Sequence, residues 1–276
     1  MIDPKCKRLA VVIPFFQRDA GILRRAMMSV FAQKTSPNLS IHVVIIDDSS
    51  PLAPDGELSD LPASQTVTWS VHRQPNGGPG AARNRALDII SQDRFDYVAF
   101  LDSDDIWRPN HIAEALHVLA QGYGFYVCDN ARDGAHDSYN NTVSALQDGG
   151  QALRPLASEI LDKGQILGFK AGALGAAMIA DCLCQPSAVV VTADTVRDLR
   201  FDVEQRTAGE DYLFWSNLAL DGPPMAISWQ CNVDCGRGVN IYFSAFDWEQ
   251  ARNLGPCWSP ATFIRKAGRD CTRPKA

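Results

Sequence analysis

The chain has 276 residues, of which 46% are hydrophobic and 21% charged, the proportions of an ordinary soluble globular protein with either one large domain or two halves sharing a sheet. A formal net charge of -6 argues against a nucleic-acid binder, which usually shows a basic face; it does not exclude a nucleotide ligand, which needs only a few local cations. No apolar segment with a cleavage site precedes the first predicted strand, and the longest apolar-looking stretch, residues 166–180, contains Lys170 and is broken by Gly168, Gly172 and Gly175. That is too short and too interrupted for a membrane span. The expectation is a cytoplasmic protein that reaches the inner face of the plasma membrane only through a partner.

The first half alternates strand and helix. Leu9 to Ile13 is a continuous apolar run ended by Pro14, as in a strand buried on both faces. Asp19 is a candidate cap for a helix carrying Leu23, Met27, Val30 and Phe31 at helical spacing. Ile41 to Ile46 predicts a second strand, ending at Asp47-Asp48-Ser49-Ser50, and Val67 to His72 a third. Pro79 suits the first turn of a helix running to about Ser91. Tyr97 to Leu101 reads as a strand, Pro109 to Gln121 as a helix, and Phe125 to Cys128 as a short strand. The polar run from Asp129 to about Gly150 reads as a surface loop. A helix around Leu153 to Leu161, a strand from Ser187 to Val191 and a helix from Ala208 to Leu220 follow. From Pro223 onward, short strand-like runs mix with aromatics. This βαβ order implies an α/β fold with a mostly parallel central sheet flanked by helices. A nucleotide-binding half would span about 1–128, an acceptor half about 129–222, and residues 223–276 would be an extension packed on that domain.

The eight cysteines include Cys182-x-Cys184 and Cys231-x-x-x-Cys235, spacings unlike the paired C-x-x-C of zinc ribbons. Reduced, mostly buried thiols are expected. Neither G-x-G-x-x-G nor G-x-x-x-x-G-K-[ST] is present, which disfavours a dinucleotide-dependent dehydrogenase and a P-loop enzyme.

The most informative segment is Val98 to Leu101 followed by Asp102-Ser103-Asp104-Asp105, a predicted buried strand with three carboxylates where it ends. Like charges so clustered are costly unless a cation sits among them, and hard oxygen ligands suit Mg²⁺ or Mn²⁺. In α/β sheets, ligands bind at the carboxyl ends of strands. Taken alone, a solvated turn capping the next helix is an equal reading.

Four further motifs decide the matter: Val11-Val12-Ile13-Pro14-Phe15-Phe16-Gln17-Arg18, Ile46-Asp47-Asp48-Ser49-Ser50, Asn76-Gly77-Gly78-Pro79-Gly80-Ala81-Ala82-Arg83-Asn84, and Gly209-Glu210-Asp211-Tyr212-Leu213-Phe214-Trp215. In this order and at these intervals they resemble family 2 glycosyltransferases of the GT-A fold, over roughly residues 8 to 220. Gly236-Arg237-Gly238-Val239-Asn240-Ile241 and the overall size look more narrowly like bacterial exopolysaccharide glucosyltransferases of the succinoglycan-assembly kind.

The resemblance implies roles. A nucleotide-sugar donor, first of all a UDP-sugar, would place its base against Pro14, Phe15 and Phe16, with Asp47 or Asp48 accepting the ring N–H. Plain core packing is the competing reading for the two Phe residues. Arg83 would lie against the nucleotide, and the helix start near Pro79 favours anionic groups. Asp102 would contact the ribose, and Asp104, with Asp102, would hold a divalent cation that bridges the phosphates; Asp105 would assist from behind. A carboxylate of the Glu210-Asp211 pair, assigned to Asp211, would deprotonate the attacking hydroxyl, with Glu210 as neighbour or acceptor ligand. Trp107, Trp215 and Trp229 are candidates for stacking on sugar rings, with core packing the commoner use. The processive members' Q-x-x-R-W is missing from the region Trp229 to Asp234, which argues for addition of a single hexose. A glycan or glycolipid acceptor is implied, with peripheral membrane association; the chain itself does not indicate an oligomeric state. Rival readings are a sugar-nucleotide nucleotidyltransferase, whose Gly-rich activation loop is absent after the first strand, and a catalytically silent glycan-binding module, for which loss of the acidic motifs would be tolerated.

Overall fold

The structure, a computed structural model, describes residues 6–132, 138–205 and 209–236. Its centre is a 10-stranded sheet: β1 (Lys7–Phe15), β2 (Leu39–Asp47), β3 (Val67–Arg73), β4 (Tyr97–Phe100), β5 (Ile106–Trp107), β6 (Phe125–Arg132), β7 (Glu159–Leu161), β8 (Ile166–Phe169), β9 (Val189–Thr192) and β10 (Met225–Cys235). The spatial order is β3-β2-β1-β4-β9-β6-β10-β8-β7, with β5 paired to β10. Strands β3, β2, β1 and β4 are all parallel, as the βαβ order requires. The sheet becomes mixed beyond them, because β9 runs antiparallel between β4 and β6 while β10 runs parallel to β6. The carboxyl ends of β1, β2, β3, β4, β6 and β10 therefore share one edge.

Side chains alternate across the sheet. Leu9, Val11, Ile13 and Phe15 of β1 belong to a core shared with Leu23, Ala26 and Met27 of helix Ile22–Phe31 and with Ile112, Ala115 and Val118 of helix His111–Leu119. Ala10 and Val12 belong to the opposite core, with Ala82, Ala86 and Ile90 of helix Pro79–Ser91 and Phe214, Trp215 and Leu218 of helix Glu210–Asp221. Each side chain from Leu9 to Ile13 is thus claimed by one face or the other, which is why this part of the strand reads as an unbroken apolar run.

Several expectations need correction. The first helix starts at Ile22 behind Gly21, whose φ of 88° marks a left-handed turn, and Asp19 does not cap it. The predicted helix over Leu153–Leu161 does not form. Arg154–Leu156 is a single 3-10 turn, the backbone becomes extended at Ala157, and Glu159–Leu161 pairs with β8 instead. The predicted loop from Asp129 begins as strand, since β6 runs on to Arg132, and short helical turns follow from Tyr139. Among the described residues, the stretch after Pro223 forms one 11-residue strand, β10, hydrogen-bonded between β6 and β8 within the central sheet rather than packed on it as an extension; residues 237–276 of the expected extension lie outside the described residues. Among the described residues no helix is long and apolar enough to cross a membrane. The six described cysteines are free thiols; Cys257 and Cys271 lie outside the described residues.

Candidate active site

The sequence-predicted acidic residues gather at the shared strand edge. Asp47 closes β2, and Asp48 follows it; both are buried. Asp48 is saturated by the protein. Its Oδ1 accepts from Gln74 Nε2 at 2.7 Å and the Gly77 N–H at 2.8 Å, and its Oδ2 accepts from Asn76 Nδ2 at 3.1 Å and the Gly78 N–H at 2.8 Å. The backbone donors just ahead of helix Pro79–Ser91, expected to face a ligand anion, are thus turned toward a side-chain anion. Asp47 is less committed: Oδ1 accepts the Ser50 N–H at 2.8 Å and Oδ2 accepts from the exposed Arg73 Nε at 2.8 Å. Each of its oxygens keeps a lone pair.

At the end of β4 the four residues alternate. Ser103 and Asp105 are buried, while Asp102 and Asp104 are partly exposed. Ser103 is tied to the exit of β1 by Gln17 Nε2, which donates to its Oγ at 2.8 Å. Asp105 accepts from Ser187 Oγ at 2.5 Å and from the Gly236 N–H at 2.9 Å. Burial, and then the nearby charges of Asp104 and Asp102, push the Asp105 carboxyl well above the usual carboxylate range. The outward pair is therefore Asp102 with Asp104, and Asp105 is the inward anchor.

Among the described residues no group of three or more His, Cys, Asp or Glu converges as a ready-made metal cage. Mg²⁺-like ions are commonly held by one or two carboxylates together with substrate phosphates, and an outward pair at a strand edge suits that mode.

Arg83 joins the turn after β4 to the start of helix Glu210–Asp221. Its guanidinium, almost wholly buried, donates through Nη2 to Asp102 Oδ1 at 2.6 Å and through Nη1 to Glu210 Oε1 at 2.8 Å. Burial alone would lower its pKa, but Asp102 and Glu210 more than offset that and raise it. The Phe201 ring lies 5.5 Å from the guanidinium carbon, a cation–π contact. Close approach of the two helices requires a small residue at position 80. A Cβ there would come within 3.1 Å of Glu210 Cγ.

Asp211 follows Glu210 in the first turn of helix Glu210–Asp221. Its Oδ1 accepts the Tyr212 N–H at 2.8 Å. Burial and then the charge of Glu210 push its carboxyl up to about 6, against the opposing pull of Arg83. A carboxylate poised there takes up a proton near neutral pH. The helix start predicted at Ala208 is found at Glu210; Ala208 itself lies outside the described residues.

Other expectations shift. Phe15 has no exposed surface and points into the core around Leu23 and Met27, so its ring does not line a base pocket. Strand alternation puts Pro14 on the opposite side, and Pro14 and Phe16 are both partly exposed. Trp107 and Trp215 are buried core residues, the former donating from Nε1 to the Ser187 carbonyl at 2.7 Å. Trp229 packs on the core and donates to the Leu146 carbonyl at 3.0 Å.

Sequence reasoning missed Ser187 and Phe201, and quoted Asn84 without giving it a task. The Asn84 amide clamps the Phe201 backbone in both directions, Nδ2 to the carbonyl at 2.9 Å and the Phe201 N–H to Oδ1 at 2.6 Å. Asn beside Arg at one helix turn was the only available signal.

The family model for "Glycosyl transferase family 2" matches residues 10–171. The succinoglycan biosynthesis protein ExoW of Rhizobium meliloti is 33% identical over 241 residues, 86% of this chain and 71% of that protein. The putative glycosyltransferase EpsH of Bacillus subtilis is 26% identical over 109 residues, 40% of this chain but only 30% of that protein. Among solved structures, S. aureus TarS 1-349 in complex with UDP-GlcNAc aligns with a TM-score of 0.62 at 16% identity, covering 94% of this chain and 70% of that one. The complex of TarS 1-349 with UDP aligns with a TM-score of 0.61 at 17% identity, covering 94% and 69%. These structures share the GT-A fold with this chain. Matched by its family model over more than half its length, and by a relative over most of it, the chain belongs to glycosyl transferase family 2 and is a transferase enzyme.

Proposed function

We propose that the protein is an inverting, metal-dependent glycosyltransferase that moves a single hexose from a UDP-sugar, glucose as the first candidate, to a sugar acceptor. The acceptor is a lipid-diphosphate-linked oligosaccharide of a bacterial surface polysaccharide. The observation that carries the reading is the Arg83 bridge, which brings Asp102 and Glu210, read here as donor-side and acceptor-side carboxylates, onto one guanidinium. The succinoglycan-biosynthesis relative supports the polysaccharide context, and the UDP and UDP-GlcNAc complexes of the structural neighbour support a UDP-sugar donor.

In this reading Asp47, which has acceptor capacity left, takes the base N–H, and Pro14 and Phe16 flank the base. Asp48 holds the loop 74–78 in place. Asp102 and Asp104 would hold a divalent cation, which when bound would neutralise charge on the departing diphosphate. Arg83 keeps Asp102 and Glu210 in register. Asp211, held near the pKa useful for proton transfer at neutral pH, accepts the proton of the attacking hydroxyl. The hydroxyl oxygen bonds to the anomeric carbon as the bond to the diphosphate oxygen breaks on the opposite side, so an α-linked donor gives a β-linked product.

The test is a screen of UDP- and GDP-sugars for Mn²⁺-dependent binding, coupled to UDP release with and without acceptor. Release of UDP on transfer is expected. Release of pyrophosphate from a sugar phosphate and nucleoside triphosphate would instead indicate nucleotidyl transfer, and binding without turnover would indicate a silent module. A lipid-linked acceptor predicts salt-sensitive association with membranes; a wholly soluble protein fully active on free oligosaccharides would contradict it.

A further inference from the structure

The turn from Asp102 to Asp105 is held by a residue from a distant part of the chain. Ser187 has no exposed surface, and its hydroxyl works in two directions at once. It accepts the Asp102 N–H at 2.9 Å and donates to Asp105 Oδ2 at 2.5 Å. The residue is itself fixed. Its carbonyl accepts the Trp107 indole N–H at 2.7 Å, and it sits in the 3-10 turn Pro186–Ala188, which leads into β9 between β4 and β6. The second oxygen of Asp105 is taken by the Gly236 N–H at 2.9 Å. Position 236 admits no side chain as it stands, since a Cβ would lie 2.1 Å from the Asp104 carbonyl oxygen. The end of β10 and the entry to β9 thus grip the turn from two sides.

We propose that Ser187 is a positioning residue for donor binding. By bridging the Asp102 amide and the Asp105 carboxylate it sets the turn in which Asp102 and Asp104 face outward, toward the diphosphate of the donor and its cation. A hydroxyl is suited to this because it is donor and acceptor together, and one atom serves both ends of the turn. Loss of it leaves the Asp102 N–H and one Asp105 oxygen without their partner, so that the outward carboxylates keep their chemistry but lose the brace that directs them. The proposal rests on the reading of Asp102 and Asp104 as the donor site. Partners that orient cation-binding groups typically change affinity about 10- to 100-fold when removed.

The experiment is calorimetric titration of UDP in the presence of Mn²⁺, with acceptor KM measured alongside, for wild type, Ser187→Ala, Ser187→Thr and Ser228→Ala. Ser228 is the control because its buried hydroxyl donates to Glu114 on a different part of the sheet. Ser187→Ala is expected to weaken Mn²⁺-dependent UDP binding about 10- to 100-fold with acceptor KM unchanged. Ser187→Thr, which keeps the hydroxyl, is expected to restore it, and Ser228→Ala to leave it near wild type. Wild-type UDP affinity in a folded Ser187→Ala protein, or equal losses in Ser187→Ala and Ser228→Ala, overturns the proposal. Should Ser187→Ala not fold, Ser187→Gly, which also lacks the hydroxyl, replaces it, and wild-type affinity there overturns the proposal equally. If wild type itself binds UDP without any response to Mn²⁺, the donor-site reading fails first and takes this proposal with it.

Discussion

The two acidic strand ends, Asp47-Asp48 after β2 and Asp102 to Asp105 after β4, look alike as sequence and differ as chemistry. At the first, protein donors absorb the charge: two side-chain amides, two backbone N–H groups, the Ser50 N–H and Arg73 all point at the pair. At the second, Asp105 is buried while Asp102 and Asp104 are partly exposed. Asp105 has a donor on each oxygen, whereas Asp102 shares Arg83 with Glu210, and Asp211 adds a further negative charge to the same neighbourhood. On the function proposed above, the first pair serves the base and the loop 74–78, and the second faces the donor's cation.

The largest expected effect tests that contrast directly. Asp104→Asn should nearly abolish transfer, by about 10³-fold or more, the scale of losing a group that stabilises developing charge. Asp48→Asn should instead cost stability, about 1–3 kcal/mol for the backbone donors of the 74–78 loop left poorly paired, with turnover of the folded protein largely kept. Thermal unfolding beside steady-state kinetics separates the two. Equal kinetic losses in both variants would erase the distinction between the strand ends.

Asp211→Asn is expected to lower the transfer rate about 10²–10⁴-fold while UDP-sugar affinity and metal response stay near wild type, since a general base acts on the acceptor in the transition state. Joint loss of donor affinity and rate would move the base elsewhere; the separated pattern in Glu210→Gln alone would move it to Glu210. The same carboxyl predicts a pH profile. Its folded-state value of about 6 lies above the ordinary 3.8, and only the ionised form accepts a proton. The rate should fall as pH drops through about 6, and that limb should vanish in Asp211→Asn. For stability the sign is opposite. The fold favours the protonated form, so this group's contribution decreases as pH rises from about 4 to about 6, and Asp211→Asn should remove that slope. The smallest expected effect is at Trp229→Phe, which loses the hydrogen bond to Leu146 and should cost about 1 kcal/mol of stability without changing acceptor KM. A raised KM would restore the sugar-stacking role that its place against the core argues against.

How much of this was legible in the sequence follows from how local each feature is. β1, β2 and β4 announce themselves because both faces are buried, and the motif carboxylates fall at their ends by topology alone. Phe15 was read as pocket-lining because the motif names residues without their faces; strand alternation from Leu9 decides that its ring points to Leu23 and Met27. The stretch from Leu153 has apolar residues at spacings a helix would also use, and only its pairing with β8 makes Glu159–Leu161 a strand. β10 could not be placed, because its neighbours β6 and β8 lie far back in the chain. Arg83 was expected against the nucleotide, and its grip on Glu210 spans 127 positions that no local pattern connects. Ser187 carries no motif, since its importance comes entirely from what two other strands bring to it.

The central claim is that the outward carboxylates after β4 bind a UDP-sugar through a divalent cation. The most direct measurement is UDP affinity by calorimetry with Mn²⁺ and again with EDTA, for wild type and Asp104→Asn. The account predicts that Mn²⁺ tightens binding at least about tenfold in wild type and has little effect in Asp104→Asn, because a bound cation adds to affinity only where the ligand completes its coordination. Equal affinity with Mn²⁺ and with EDTA in wild type, or an undiminished Mn²⁺ response in Asp104→Asn, would contradict it.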